Sequence, residues 1–370
     1  MLRNCRQTLM RLIKYGVLLT VCLQVLAAQA MAKEYLLTTA HPNKLFMIDA
    51  SNGAVARSYD IPGQHLGSWS ITVSPTSQVV YLNNNLNQGI IGIDLESGDT
   101  VFQAHLSSAD EKVRSFYGLD ISPDGKALYA YVSPVKLLLD ERRVLPNRVL
   151  VFDTQSGLAA EPIRVLPAPR RVFNIMAAND GKSLYLAGWD VYQMDVITGE
   201  IIRTVPIHNW KTPNRSPGNA YAHWVSWEQS DINTLSVFSV HTDRDPYSLE
   251  AYQNSVLQIN RETGAVNVWD YEYAENLVFS MVTSPTKPEV FAIYNTLAKI
   301  DAANHKTLKR IPMENTYYSI NISADGSRVF VGGAGCKMAA HRTSDLERVW
   351  EMALPGCADQ SFSHLRMVHR

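Results

Sequence analysis

Apolar positions in this chain fall in short alternating runs, and the runs recur as two phrases. The inner phrase reads aromatic, small, apolar, two variable positions, then Ser-Pro-x-Gly and an apolar-Tyr pair. It aligns on Ser74, Ser122, Ala178, Ser226, Ser284 and Ser323. Five residues before these anchors stand Trp69, Tyr117, Phe173, Tyr221, Phe279 and Tyr318, each followed by a small or polar residue. Seven residues after them come Tyr81, Tyr129, Tyr185, Phe291 and Phe330; the fourth copy departs through a longer turn, Trp227 to Asn233, before reaching Val237-Phe238. The outer phrase is apolar-Asp-x-x-x-Gly, at Asp49–Gly53, Asp94–Gly98, Asp153–Gly157, Asp195–Gly199 and, with Asn for Asp, Asn260–Gly264. Degenerate copies start at Asp301 and His341, so that successive copies lie 45, 59, 42, 65, 41 and 40 residues apart.

Side chains two apart on a strand share a face, so each inner strand can set a large aromatic against a small residue of its neighbour. Asp-Gly and Ser-Pro turns join antiparallel strands tightly. A period near 40–45 residues with four short strands per copy predicts an all-β fold, a seven-bladed β-propeller. Six copies are complete. The seventh blade needs Tyr35–Thr39, Lys44–Asp49 and Val55–Tyr59 from the N-terminal part and one strand, Phe362–Val368, from the C-terminal part. Such a closure hides sheet edges. Residues 33–370 then form one domain.

With strands lettered a to d from the inside out, the a–b and c–d turns are short throughout and share one side of the ring. The long connections fall on the other: Ser133–Asn147 and His241–Asn254 between strands b and c, His105–Ser115 and Ile207–Asn219 before strand a. Loops carry binding more often than scaffold does. Trp69, Tyr117, Tyr221, His223 and Trp224 are candidates for the rim of a central mouth on that side, with packing between blades as the competing reading of the aromatic row. Leu137, Leu138, Leu139, Trp210, Tyr247 and Tyr252 make the insertions too apolar for plain solvated loop and are candidates for a subunit interface.

Residues 1–32 read as a secretory signal peptide: Arg3, Arg6, Arg11 and Lys14, an apolar run from Tyr15 to Leu26, and small-x-small cleavage sites after Ala30 and after Ala32. An uncleaved anchor is the competing reading. Export places residues 33–370 in the periplasm of a Gram-negative bacterium. Removing the segment leaves 30 Lys and Arg against 35 Asp and Glu, with no basic block for nucleic acid and no later run of membrane-spanning length. Cys336 and Cys357 are then the remaining cysteines in an oxidising compartment. One disulfide between them is expected, with two thiols or pairing to another chain as alternatives.

The motifs of autonomous chemistry are missing. The chain has no Cys-x-x-Cys-His for c-type haem, no zinc-protease helix motif, no phosphate loop and no nucleophile elbow. The recurrent Asp of the outer phrase belongs to turn stabilisation.

Lys33-Glu34-Tyr35-Leu36-Leu37-Thr38-Thr39, Leu45-Phe46-Met47-Ile48-Asp49 and the Ser-Pro-Asp-Gly-Lys inner turn resemble the β subunit of bacterial quinohemoprotein amine dehydrogenase, over the whole of residues 33–370. The heavy chain of methylamine dehydrogenase is similar in architecture. The resemblance implies a periplasmic complex that oxidatively deaminates primary amines. A small γ subunit would carry cysteine tryptophylquinone. An α subunit, a dihaem cytochrome c, would carry two c-type haems and pass electrons to a soluble acceptor. The propeller would bind no cofactor, hold no metal and supply no catalytic residue; it would support the small subunit and wall the substrate cavity. Two other readings stay open. One is an autonomous exported enzyme of the lactone-hydrolase type with a channel metal, for which Asn174 and Asn321 are conceivable ligands. The other is a propeller that only binds protein.

Overall fold

The computed structural model describes residues 33–63, 70–220, 224, 226–360 and 362–370. The proposed signal peptide, Trp69, Tyr221 and His223 lie outside the described residues.

The chain is a seven-bladed β-propeller: seven antiparallel sheets, six of four strands and one of six. Blade 1 runs from Ile71–Val73 to Thr100–His105, and blade 2 from Leu119–Ile121 to Arg164–Pro167. Blade 3 runs from Asn174–Ala177 to Ile201–Val205, and blade 4 from Asn219–Ala220 to Val266–Tyr273. Blade 5 runs from Ser280–Thr283 to Lys306–Pro312, and blade 6 from Ser319–Ile322 to Arg348–Ala353. Blade 7 joins the two ends of the domain. Its inner strand, Arg366–His369, pairs antiparallel with Glu34–Ala40, Tyr35 standing opposite Val368. That strand starts later than the expected Phe362–Val368.

Alternation explains the layering. Inner strands such as Ser280–Thr283 and Ser319–Ile322 are buried throughout, whereas outer strands such as Val55–Asp60 expose most of their residues. Apolar clusters fill the spaces between blades. Tyr81 packs between blades 1 and 2, Tyr129 between 2 and 3, Tyr185 between 3 and 4, and Phe291 between 5 and 6. Phe330 packs with Leu36 and Phe46 where blade 6 meets the closing blade. Each such ring contributes about 2–3 kcal/mol by burial. Small residues make room: a Cβ on Gly118 would stand 2.6 Å from that of Tyr131.

The recurrent Asp serves its turn. The Asp195 carboxylate accepts from the backbone N–H of Ile197 at 2.8 Å and of Thr198 at 2.7 Å, and Asp94 and Asp301 repeat the pattern. These donors hold the Asp195 carboxyl below its ordinary pKa. Asn260 substitutes because its amide oxygen accepts the same two bonds, from Glu262 and Thr263. Cys336 and Cys357 are joined in a disulfide.

Candidate functional site

The long connections share one side, as expected, but the largest is not a loop. Strand b of blade 2 is Ala127–Leu137, continuing past the sheet and returning as Arg142–Val144. Its other edge is covered by Glu111–Arg114, from the connection that precedes strand a. Backbone groups that a solvated loop would leave to water are thereby paired. The result is a hairpin standing off the ring. Leu139 at its tip is fully exposed, Leu138 40% and Val144 59% exposed. Leu137 ends the strand half-buried. Tyr247, on the blade 4 connection, is 96% exposed.

Two interface candidates turn inward. The Trp210 indole N–H donates to the Ser216 carbonyl at 2.7 Å, and the ring packs on the blade 3–4 core. Tyr252 opens strand Tyr252–Asn260, stacks on Phe238 and donates its hydroxyl to the Pro246 carbonyl at 2.7 Å. An exposed ring that went unnoticed in the sequence is Trp189, at the b–c turn of blade 3. Arg171 lies 4.3 Å over it, and His208 stacks on it at 4.9 Å.

The central channel is organised by blade 4. Its inner strand is only two residues long, Asn219–Ala220. Trp224 and Ser226, which follow it in the chain, lie outside the strands and bond to other blades across the channel. Ser226 donates to the Ile320 carbonyl of blade 6 at 2.8 Å, and the Trp224 indole N–H to the Phe362 carbonyl at 2.7 Å. Ser280 of blade 5 bonds the Trp224 carbonyl.

On the hairpin side the mouth is aromatic. Trp224, 5% exposed, stacks on Tyr318 at 5.2 Å and Phe279 at 5.7 Å, and meets Tyr117 edge-on at 5.8 Å. Tyr117 stacks on His364, Phe279 on Tyr294, and Tyr318 on Phe362. Burial pushes the Tyr117 hydroxyl pKa up, so the ring stays neutral. Of the five proposed mouth residues, Tyr117 and Trp224 are brought together. Phe279 and Tyr318 stood in the same aromatic row but were not singled out. Phe362 and His364 belong to the closing segment, which carries no inner phrase. Asn174 and Asn321, the conceivable metal ligands, are committed elsewhere: Asn174 accepts from Asn233 at 3.0 Å, and Asn321 donates to the Leu365 carbonyl at 2.9 Å. Among the described residues no group of three or more His, Cys, Asp or Glu is placed to hold a metal ion.

No protein-family model matches the chain, and no curated protein sequence matches it. Solved structures do. Hydrazine synthase of Kuenenia stuttgartiensis matches with a TM-score of 0.57 at 13% identity, over 84% of this chain and 90% of that one. A protein of unknown function from Desulfotomaculum acetoxidans matches with a TM-score of 0.58 at 10% identity, over 91% and 99%. The dihydro-heme d1 dehydrogenase NirN matches with a TM-score of 0.50 at 11% identity, over 91% and 75%. At these identities the likeness is one of fold.

Proposed function

We propose that this chain is the cofactor-free propeller subunit of a periplasmic amine dehydrogenase. It docks a small quinone-bearing subunit and a dihaem cytochrome c on its hairpin side and forms one wall of the cavity for a primary amine. The observation that carries this reading is the sharing of one face by exposed anchors and an aromatic floor. Leu138, Leu139, Tyr247 and the Trp189 sandwich lie on the same side of the ring as a mouth built of Tyr117, Trp224, Phe279 and Tyr318. Large apolar and aromatic side chains presented to solvent, with an arginine beside them, are the composition of interface anchors. An apolar aromatic floor under a docked partner excludes water and favours the hydrocarbon part of an amine. A redox setting is in keeping with the names of two proteins that share the ring, hydrazine synthase and dihydro-heme d1 dehydrogenase.

The share of this chain in the chemistry is shape and desolvation; the quinone and haems would sit in its companions. The test is affinity capture of the tagged chain from a periplasmic extract. A haem-staining chain and a small quinone-staining chain should come with it, and the captured assembly, not the isolated propeller, should oxidise primary amines. Amine turnover by the propeller alone, or capture of neither companion, rejects the reading.

A further inference from the structure

Beyond Trp224 and Ser226, on the side of the Ser-Pro turns, the channel holds a polar chamber. It is a cavity of about 310 Å³ lined by Thr72, Asp120, Trp227, Glu228, Arg261 and Arg366, among others. That volume is near the lower end of small-molecule pockets, about 300–1,000 Å³.

Arg366, on the inner strand of the closing blade, is 2% exposed. Its Nε lies 2.5 Å from a Glu228 carboxylate oxygen, and its guanidinium sits 4.3 Å over the Trp227 ring. The plane of the group is therefore fixed from two sides. Neither Nε, for which Glu228 is an ion-pair neighbour and not a well-directed hydrogen-bond acceptor, nor Nη1 has a hydrogen-bond partner among the described residues, and both are buried. A buried donor left unmatched costs about 1–3 kcal/mol, and more when charged. Such a donor calls for an acceptor in the chamber.

A second guanidinium approaches from the outer turn of blade 4. Arg261 donates from Nε to the Ala177 carbonyl at 2.9 Å, and lies 5.8 Å from the same Trp227 ring. Its carboxylate neighbour is Asp231, half exposed and 3.7 Å away. Asp120, from blade 2, accepts from the Thr72 hydroxyl at 3.0 Å and the Ala177 N–H at 2.7 Å, and forms no ion pair among the described residues. Two guanidinium groups face Glu228 and Asp231. Burial pushes the Asp120 carboxyl pKa up, against the pull of Arg261 and Arg366, and so favours its neutral form. A chamber near neutrality accepts one negative charge more readily than two.

We propose that this chamber is a binding site for a small monocarboxylate, whose carboxylate accepts from Arg366 Nη1 within reach of Arg261. A guanidinium matches the planar, acceptor-only geometry of a carboxylate. The site opens on the face opposite the hairpin and does not depend on the docking reading, so the two fail separately.

The purified chain, residues 33–370, is titrated calorimetrically with sodium butyrate and with sodium benzoate at pH 6.5, against sodium chloride and sodium sulfate at equal ionic strength. At least one carboxylate should give saturable heats that the inorganic salts do not. Arg366→Met should weaken that affinity at least about tenfold, and Arg261→Gln about three- to tenfold, as expected for losing one charged contact. Should Arg366→Met fail to fold, Arg261→Gln decides alone. The proposal is overturned by non-saturating heats with both carboxylates, by equal binding of chloride, or by unchanged affinity in Arg261→Gln. A crystal structure grown with the carboxylate and showing only ordered water at Nη1 would overturn it too.

Discussion

The indole N–H of Trp224 reaches the backbone carbonyl of Phe362 at 2.7 Å, across the channel and 138 residues along the chain. Blade 4 is thereby tied to the segment that closes the ring, and the same indole is stacked on Phe279 and Tyr318. Trp224→Ala should lower stability by about 3–5 kcal/mol, the range for emptying a buried aromatic site. Trp224→Phe keeps the stacking and should cost only about 1 kcal/mol for the lost hydrogen bond. Urea unfolding of the three proteins checks the order. An alanine variant with the parental midpoint would mean that the Trp224 contact is not a structural tie.

Leu139 is fully exposed at the hairpin tip, with Leu138 beside it at 40%. Neither packs on the ring core, so Leu138→Asp and Leu139→Asp should each leave the isolated fold within about 0.5 kcal/mol of the parent. Assembly should respond differently. A charge desolvated at the centre of an interface costs several kcal/mol, so co-purification of companions should fall at least about tenfold. The check is the ratio of companion to tagged chain after capture, alongside thermal melting of the isolated variants. Unchanged capture would remove the hairpin from the interface.

The wheel could be read from the sequence because its devices are local and repeated. The turn carboxylate of Asp195, the interblade ring of Tyr129 and the pairing of Tyr35 with Val368 all follow from patterns within a few dozen residues or at the two ends. The mouth was half legible. Tyr117 stood in the aromatic row, but Phe362 and His364 reach the mouth from the segment before the closing strand, which has no phrase to mark it. The strand pairing of the hairpin was not legible, because one of its two partners, Glu111–Arg114, comes from the preceding connection and lies far from the insertion in the chain. The chamber was not legible at all. Asp120, Glu228, Arg261 and Arg366 come from three blades, and only ring closure brings them together.

The disulfide lies on the hairpin side, tying the b–c turn of blade 6 to the short turn Pro355–Cys357 after its outer strand. Its cysteines are 21 residues apart, for which restriction of the unfolded chain predicts about 3 kcal/mol. Replacing both, Cys336→Ser with Cys357→Ser, should lower the melting temperature, and reductant should shift the parent toward the variant without moving the variant itself. A variant melting with the parent would show that the strands of blade 6 hold this end unaided.

Asp120 provides a pH signature. It is buried, and desolvation raises its carboxyl pKa although Arg261 and Arg366 pull the other way and the Ala177 N–H also favours the ionised form. Below the ordinary carboxyl value, near 4, both folded and unfolded chains hold the proton and Asp120 has no effect. Above it the unfolded chain ionises first, so stability falls as pH climbs toward the raised folded value and then levels off. The loss is about 1.4 kcal/mol for each unit of the shift. Asp120→Asn removes the titration and keeps one acceptor, at a constant cost of about 1 kcal/mol for the second. Urea midpoints measured from pH 4 to pH 8 should therefore decline less in the variant than in the parent, the curves converging or crossing as pH rises. Parallel curves would mean that Asp120 ionises in the folded protein as readily as in the unfolded one, and that its two neighbouring guanidinium groups outweigh its burial.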